Sequence, residues 1–166
     1  VAIRTNFATM EKGVITDRRA GRISTEKCAE ICEILDKGVK LEGIKTFVRP
    51  VRDYRGTVVF RGKGLSPDVA DTDPQVVGKP PLKAKPLTKA AKRTAQLADE
   101  FVKQAHKLIK DKKPANAVLL RGFSEFRKYP SMEEIYKLKA ASIAIYPMYR
   151  GVTRLIGMDV QTTGIE

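Results

Sequence analysis

From about residue 88 onward, segments of helical periodicity alternate with short apolar runs of strand type, and that alternation points to an α/β class. A stretch opening at Thr88, a helix-capping residue type, and closing before Pro114 brings Leu97, Phe101, Ala105 and Leu108 to one side. The unbroken run Ala117-Val118-Leu119-Leu120 reads as a buried strand. Ser131-Met132-Glu133-Glu134 is a capping box opening a short helix, and residues 141–145 are a second buried-type strand. Residues 147–156 read as a helix and 159–162 as a closing strand. The expected architecture is a single α/β domain, a mixed β-sheet packed by helices. A chain of 166 residues, 42% hydrophobic, is long enough to bury one core.

The first half supplies hairpins. Residues 1–9 alternate through Ile3, Thr5 and Phe7, a turn follows at Gly13, and a short strand runs into Asp17. Ser24-Thr25 cap a helix that reaches about Lys37 and stops at Gly38. Strands at 44–48 and 57–61 are joined around Asp53-Tyr54-Arg55-Gly56. Residues 64–86 are rich in Pro, Gly and Asp and lack periodicity, which marks a long loop of the kind usually tied to function or disorder. The chain carries no internal repeat and no low-complexity tract. It begins at Val1 without an initiator Met or a basic-then-apolar leader, as expected of a processed chain or an excised piece. No run of about 18 apolar residues is present, so no spanning helix is expected. Cys28 and Cys32 fall one helical turn apart, poor geometry for a mutual disulfide, and read as reduced core thiols of a cytoplasmic protein.

Lys and Arg outnumber Asp and Glu by 32 to 19, a net charge of +13, which calls for an anionic partner. Nucleic acid, an anionic membrane surface and small phosphorylated molecules all qualify. Between Lys83 and Lys113 there are ten basic and three acidic residues, but most sit on the outer face of the amphipathic helix. Arginines gather elsewhere, at Arg18, Arg19 and Arg22 and at Arg49, Arg52, Arg55 and Arg61, in turn or strand-edge sequence. There a planar guanidinium can fork onto phosphate or carboxylate.

Much catalytic chemistry has no residues to run on. His106 is the one histidine, it lies inside the long helix, and it reads as a surface or packing residue. No ligand set for a transition metal, no Gly-rich phosphate loop and no Gly-x-Ser-x-Gly elbow appears. Three runs could bind a ligand instead. Asp17-Arg18-Arg19-Ala20-Gly21-Arg22 sets guanidiniums just before a helix start, a sensible anion site that also reads as solvated turn charge. Arg61-Gly62-Lys63-Gly64-Leu65-Ser66 is followed by Asp71-Thr72-Asp73-Pro74. Asp71 and Asp73 can orient arginines, accept from substrate hydroxyls, or simply form turns. Asn116 begins the buried strand and Arg121 ends it, where a side chain can face a cleft.

Together, and in this order, these runs resemble the archaeal-type cofactor-independent phosphoglycerate mutases of the alkaline phosphatase superfamily. Asn6-Phe7-Ala8-Thr9, Leu120-Arg121-Gly122 and Gly157-Met158-Asp159 complete the resemblance, which spans nearly the whole chain. The resemblance implies an isomerase of glycolysis and gluconeogenesis that interconverts 3-phosphoglycerate and 2-phosphoglycerate through a phosphoserine, with two divalent metals (Mn or Mg). It further implies that residues 1–166 are the inserted substrate-binding domain of a two-domain enzyme. Nucleophile and metal ligands would then lie in a phosphatase-like domain outside this chain, leaving it with no catalytic residue, no metal and no activity alone. By the same resemblance Asp17, Arg18, Arg19, Arg22, Arg61, Asp71, Asp73, Asn116 and Arg121 are the candidate substrate-binding residues. The arginines would take phosphate and carboxylate, and Asp73 with Asp71 the glycerate hydroxyls. Segments 1–4 and 159–166 would lie close together as the hinge. Two other readings stand beside it: a related superfamily enzyme acting on another phosphorylated or phosphonate substrate, and a basic nucleic-acid-binding module. The second is disfavoured by the absence of Trp and of any aromatic-basic recognition run. No membrane partner is expected.

Overall fold

The computed structural model describes residues 1–161, which divide into two compact units, Val1–Glu125 and Phe126 onward. The first unit is built on one long strand. β1 (Ala2–Glu11) turns at Lys12-Gly13, both at positive φ, into the short antiparallel β2 (Val14–Asp17). Glycine at the second turn position makes that two-residue reversal accessible. After α1 (Thr25–Gly38), the strands β3 (Lys45–Arg52) and β4 (Arg55–Arg61) form a hairpin, and β4 pairs antiparallel with β1. β5 (Ala117–Ser124) pairs antiparallel with β1 as well, so β1 lies between β4 and β5. These five strands form one sheet, antiparallel throughout.

Period-2 alternation gives the sheet two unlike faces. Ile3, Phe7, Val48, Val58, Phe60, Val118 and Leu120 point to one side, where they join Ile31, Leu35, Ala98, Phe101 and Ala105 from the helices in the main core. Phe60 meets Phe101 with ring centroids 5.9 Å apart. Residues of opposite parity (Arg4, Arg49, Thr57, Arg61, Arg121) are placed by the registers on the other side. There, Ala8, Ile15, Ala117 and Leu119 form a small second core.

The helices follow the sequence with two corrections. Ser24 caps α1 by accepting from the Lys27 amide, as its side chain suggests. Thr88 does not cap the long helix: its hydroxyl donates to Asp68, a single 3-10 turn intervenes, and α2 runs Lys92–Ile109. The buried stripe of α2 is Thr94, Ala95, Ala98, Phe101, Ala105 and Ile109, with Leu97 half-buried and Leu108 exposed at the rim. Gly38 is the last residue of α1 rather than a left-handed stop. A methyl group there would meet a terminal carbon of Leu108 at 2.8 Å, so a larger residue would require that side chain to move. Cys28 and Cys32 are free and buried, with sulfurs 4.0 Å apart.

In the second unit Ser131 and Glu134 make the expected capping box on α3 (Met132–Tyr136). β6 (Ala141–Ile143) and β7 (Asp159–Gln161) pair in parallel, linked by α4 (Pro147–Leu155). The α/β class is therefore as expected, with the parallel and antiparallel pairings carried by separate sheets. Residue 162 of the expected closing strand and the rest of the expected hinge segment lie outside the described residues. Among the described residues no helix is long and apolar enough to cross a membrane.

Candidate anion-binding site

The site is assembled on the sheet face opposite the helices, so the lysine-rich α2 lies on the other side. Its anchor is the loop between β4 and α2. Thr72 runs along the free edge of β5, its amide donating to the Leu120 carbonyl at 2.9 Å and its hydroxyl accepting from the Leu120 amide at 2.8 Å. The loop then reaches β2, where Ile15 and the 78–79 backbone exchange hydrogen bonds of 2.8 and 2.9 Å. Backbone groups of two otherwise open strand edges are thereby paired.

This course carries Asp73 between two arginines. Arg18 donates to both carboxylate oxygens, Nε to Oδ1 at 2.9 Å and Nη2 to Oδ2 at 2.8 Å. Arg121 Nη1 lies 3.3 Å from Oδ2, and the Gln75 amide donates to Oδ1 at 2.8 Å. The Asp73 side chain is 0% exposed, against 29% and 26% for its arginine partners. Burial pushes the carboxyl up, but hydrogen bonds from Arg18 and Gln75 and the charges of Arg18 and Arg121 outweigh it and hold Asp73 below the usual range. The same hydrogen bond raises Arg18 further above its ordinary value. Asp71 accepts from the Gly122 amide at 2.8 Å and sits 3.5 Å from Arg121 Nε. Both aspartates therefore orient arginines. Both oxygens of the buried Asp73 carboxylate accept from Arg18 and Oδ1 also from the Gln75 amide, with Arg121 drawn in by charge.

Asp17 accepts from the amides of Arg19 and Gly21 at 2.7 and 2.6 Å, folding the following loop. Ala20, Gly21 and Arg22 then take three successive positive φ values, 49°, 61° and 55°. Only glycine adopts that region without cost, so Ala20 and Arg22 hold strained backbone. Arg19 and Arg22 are exposed on this turn. Arg61 is on the same sheet face as Arg121 by register, yet outside the Asp73 network. It stands at the far end of β4, 5.0 Å from the centroid of the Phe47 ring.

Asn116 bonds the backbone of β1. Its Oδ1 accepts from the Met10 amide at 2.8 Å and its Nδ2 donates to the Met10 carbonyl at 2.9 Å, so the side chain extends the β1–β5 ladder by one rung. Asn116→Ala is expected to cost about 2 kcal/mol by leaving both Met10 groups unpaired. Urea denaturation measures it, and a change under about 0.5 kcal/mol would contradict the ladder role. His106 is likewise structural: burial keeps it below its ordinary pKa, and Nε2 accepts from the Val118 amide at 3.3 Å. Among the described residues no three His, Cys, Asp or Glu side chains gather as a metal site.

The fold and these motifs have known counterparts. A family model for 2,3-bisphosphoglycerate-independent phosphoglycerate mutase matches residues 1–116. The chain belongs to that family. A Thermotoga neapolitana relative named "Probable 2,3-bisphosphoglycerate-independent phosphoglycerate mutase" is 41% identical over 99% of this chain and 41% of its own length. A Thermus thermophilus relative of the same name is 42% identical over 96% of this chain and 40% of its own length. The solved structure of a cofactor-independent phosphoglycerate mutase from Thermoplasma acidophilum superimposes with a TM-score of 0.74 at 29% identity, covering 98% of this chain and 46% of that one. The chain thus spans about two fifths of the length of the mutase relatives it matches, and the resemblance drawn from its motifs is borne out at family level.

The motif runs contain Asn6 and Thr72 without a role for either, and leave out Arg4. Arg4 and Asn6 occupy the even positions of a strand whose odd positions Ile3, Thr5 and Phe7 are buried on the core side. Alternation alone could have marked them as facing the other way. Thr72 gave no such signal, because its partner Leu120 is distant in sequence.

Proposed function

We propose that the unit Val1–Glu125 holds the glycerate part of a phosphoglycerate inside a larger mutase that interconverts 3-phosphoglycerate and 2-phosphoglycerate in glycolysis and gluconeogenesis. The observation that carries this reading is the open sheet face on which a buried Asp73 fixes Arg18 and Arg121 at preset angles, in a chain of this family. A guanidinium held in place by a carboxylate behind it presents its remaining N–H groups to an incoming oxyanion with little further ordering cost. Arg19, Arg22 and Arg61 would add contacts to phosphate and carboxylate, and closure of the rest of the enzyme over the face would exclude water.

The nucleophile and the ligands of two divalent metals (Mn or Mg) would come from a phosphatase-like part of the alkaline phosphatase superfamily, outside this chain. The described residues, with no gathered His, Cys, Asp and Glu donors, do not fit such metals. The second unit exposes Ile143, Ile145, Met148, Tyr149, Val152 and Leu155 around a two-stranded parallel sheet. Parallel strands are normally covered on both faces, so this unit would be completed by that same missing part. The enzyme would be of archaeal type and cytoplasmic.

The test compares this chain with the complete parent chain. With manganese present, the parent should convert 3-phosphoglycerate to 2-phosphoglycerate and this chain alone should not. A parent with no such turnover would overturn the assignment, and turnover by this chain alone would overturn the division of labour.

A further inference from the structure

Resting on that reading, we infer that Arg4 forms, with Arg121, a two-guanidinium subsite that takes one oxyanion of the substrate, its carboxylate or its phosphate. Arg4 lies in the middle strand of the sheet, directly opposite Arg121 on β5 and Thr57 on β4. Directly opposed residues on antiparallel strands have Cβ atoms about 5 Å apart on the same face, and like charges placed so are destabilising. A chain folding for stability alone has no reason to set two arginines there.

The two arginines differ in their partners. Arg121 is held from behind by Asp71 and Asp73 at 3.5 and 3.3 Å. Arg4 is exposed, and among the described residues no acidic side chain pairs with it. The one other arginine on this rung, Arg49 opposite Thr57, is ion-paired with Asp36 at 2.7 Å and faces no such need. One fixed guanidinium beside one free guanidinium is a suitable receptor for a planar or tetrahedral oxyanion. The anion supplies the counter-charge that Arg4 lacks and adds a charge-assisted contact to each guanidinium.

A second observation lies two residues along the same strand. Asn6 shares this face, is 5% exposed, and its Oδ1 accepts no hydrogen bond among the described residues. Buried acceptors are nearly always paired, and one left open beside the Arg4–Arg121 pair fits a cluster that completes its bonding when a ligand arrives.

The experiment uses the complete parent chain, with 3-phosphoglycerate and inorganic phosphate as titrants in calorimetry and thermal unfolding alongside. Arg4→Gln is expected to weaken 3-phosphoglycerate binding about tenfold or more, as for a lost charged hydrogen bond, while leaving the unfolding midpoint unchanged or higher. Arg4→Lys should recover part of the affinity, because it keeps the charge and loses the fork. Weakened binding of both titrants would assign the subsite to the phosphate; weakened binding of 3-phosphoglycerate alone would assign it to the carboxylate. Unchanged affinity for both in Arg4→Gln, with the wild-type parent binding normally, would overturn the subsite and leave the proposed function standing. A wild-type parent that binds no 3-phosphoglycerate would overturn both.

Discussion

Asp73→Ala is expected to destabilise the first unit by about 3 kcal/mol, more than any exposed charge in the chain could. The Asp73 carboxylate is fully enclosed, accepts from Arg18 and the Gln75 amide, and is ion-paired with Arg121 at 3.3 Å. Removing it leaves two guanidiniums facing each other across a void and one backbone donor unpaired. Breaking a buried pair costs about 3–5 kcal/mol, and the partial exposure of both arginines places this case at the lower end. The linkage has a definite sign. A carboxyl whose folded pKa lies below its unfolded value contributes stability above the unfolded value, about 4, and loses it as pH falls through the folded one. Urea denaturation should show stability declining on acidification below about pH 4, with a shallower decline in Asp73→Asn. An Asp73→Ala variant within about 1 kcal/mol of the parent, or equal acid slopes in both chains, would show that the network is solvated and holds nothing together.

The sequence disclosed the α/β class, the two hairpins and the identity of most of the ion network, because each rests on local signals. Alternation around Phe7, the Ser24 cap and the Ser131–Glu134 box act over a few residues, and each formed as expected. What stayed hidden depended on pairing across the chain. Asn116 looks like a polar residue at a strand entrance, and only its contact with Met10, 106 residues away, gives it a ladder role. Asp73 reads equally as an arginine-orienting, hydroxyl-accepting or turn-forming residue, and only the loop that carries it between residues 18 and 121 brings out the first role. The buried stripe of α2 keeps Phe101 and Ala105 but takes Ala98 and Ile109 in place of Leu97 and Leu108, because docking against the sheet selects the face. Arginine identity was legible; which arginines are restrained and which are free was not.

Arg22 separates function from stability. It sits at φ 55° on the strained turn after Asp17, with its side chain exposed and no ion pair among the described residues. Strain of this kind persists where surrounding structure imposes it, here the two Asp17 hydrogen bonds to the turn and the buried Ala20. If the turn exists to present the guanidinium, then Arg22→Ala and Arg22→Gly should lower kcat/KM of the complete parent equally, by about 30- to 1000-fold, or 2–4 kcal/mol of transition-state stabilisation. The two variants should differ in stability, since alanine keeps the left-handed cost and glycine removes it. Arg22→Gly is expected to be more stable than Arg22→Ala by about 1 kcal/mol, and at least as stable as the wild type. Steady-state kinetics and urea denaturation on the same three proteins read both effects. Equal stability of the two variants would remove the strain argument, and near-wild-type kinetics in both would remove Arg22 from the site. Loss of activity together with the glycine-over-alanine difference would mean that the chain keeps a costly backbone conformation for the sake of where it puts one positive charge.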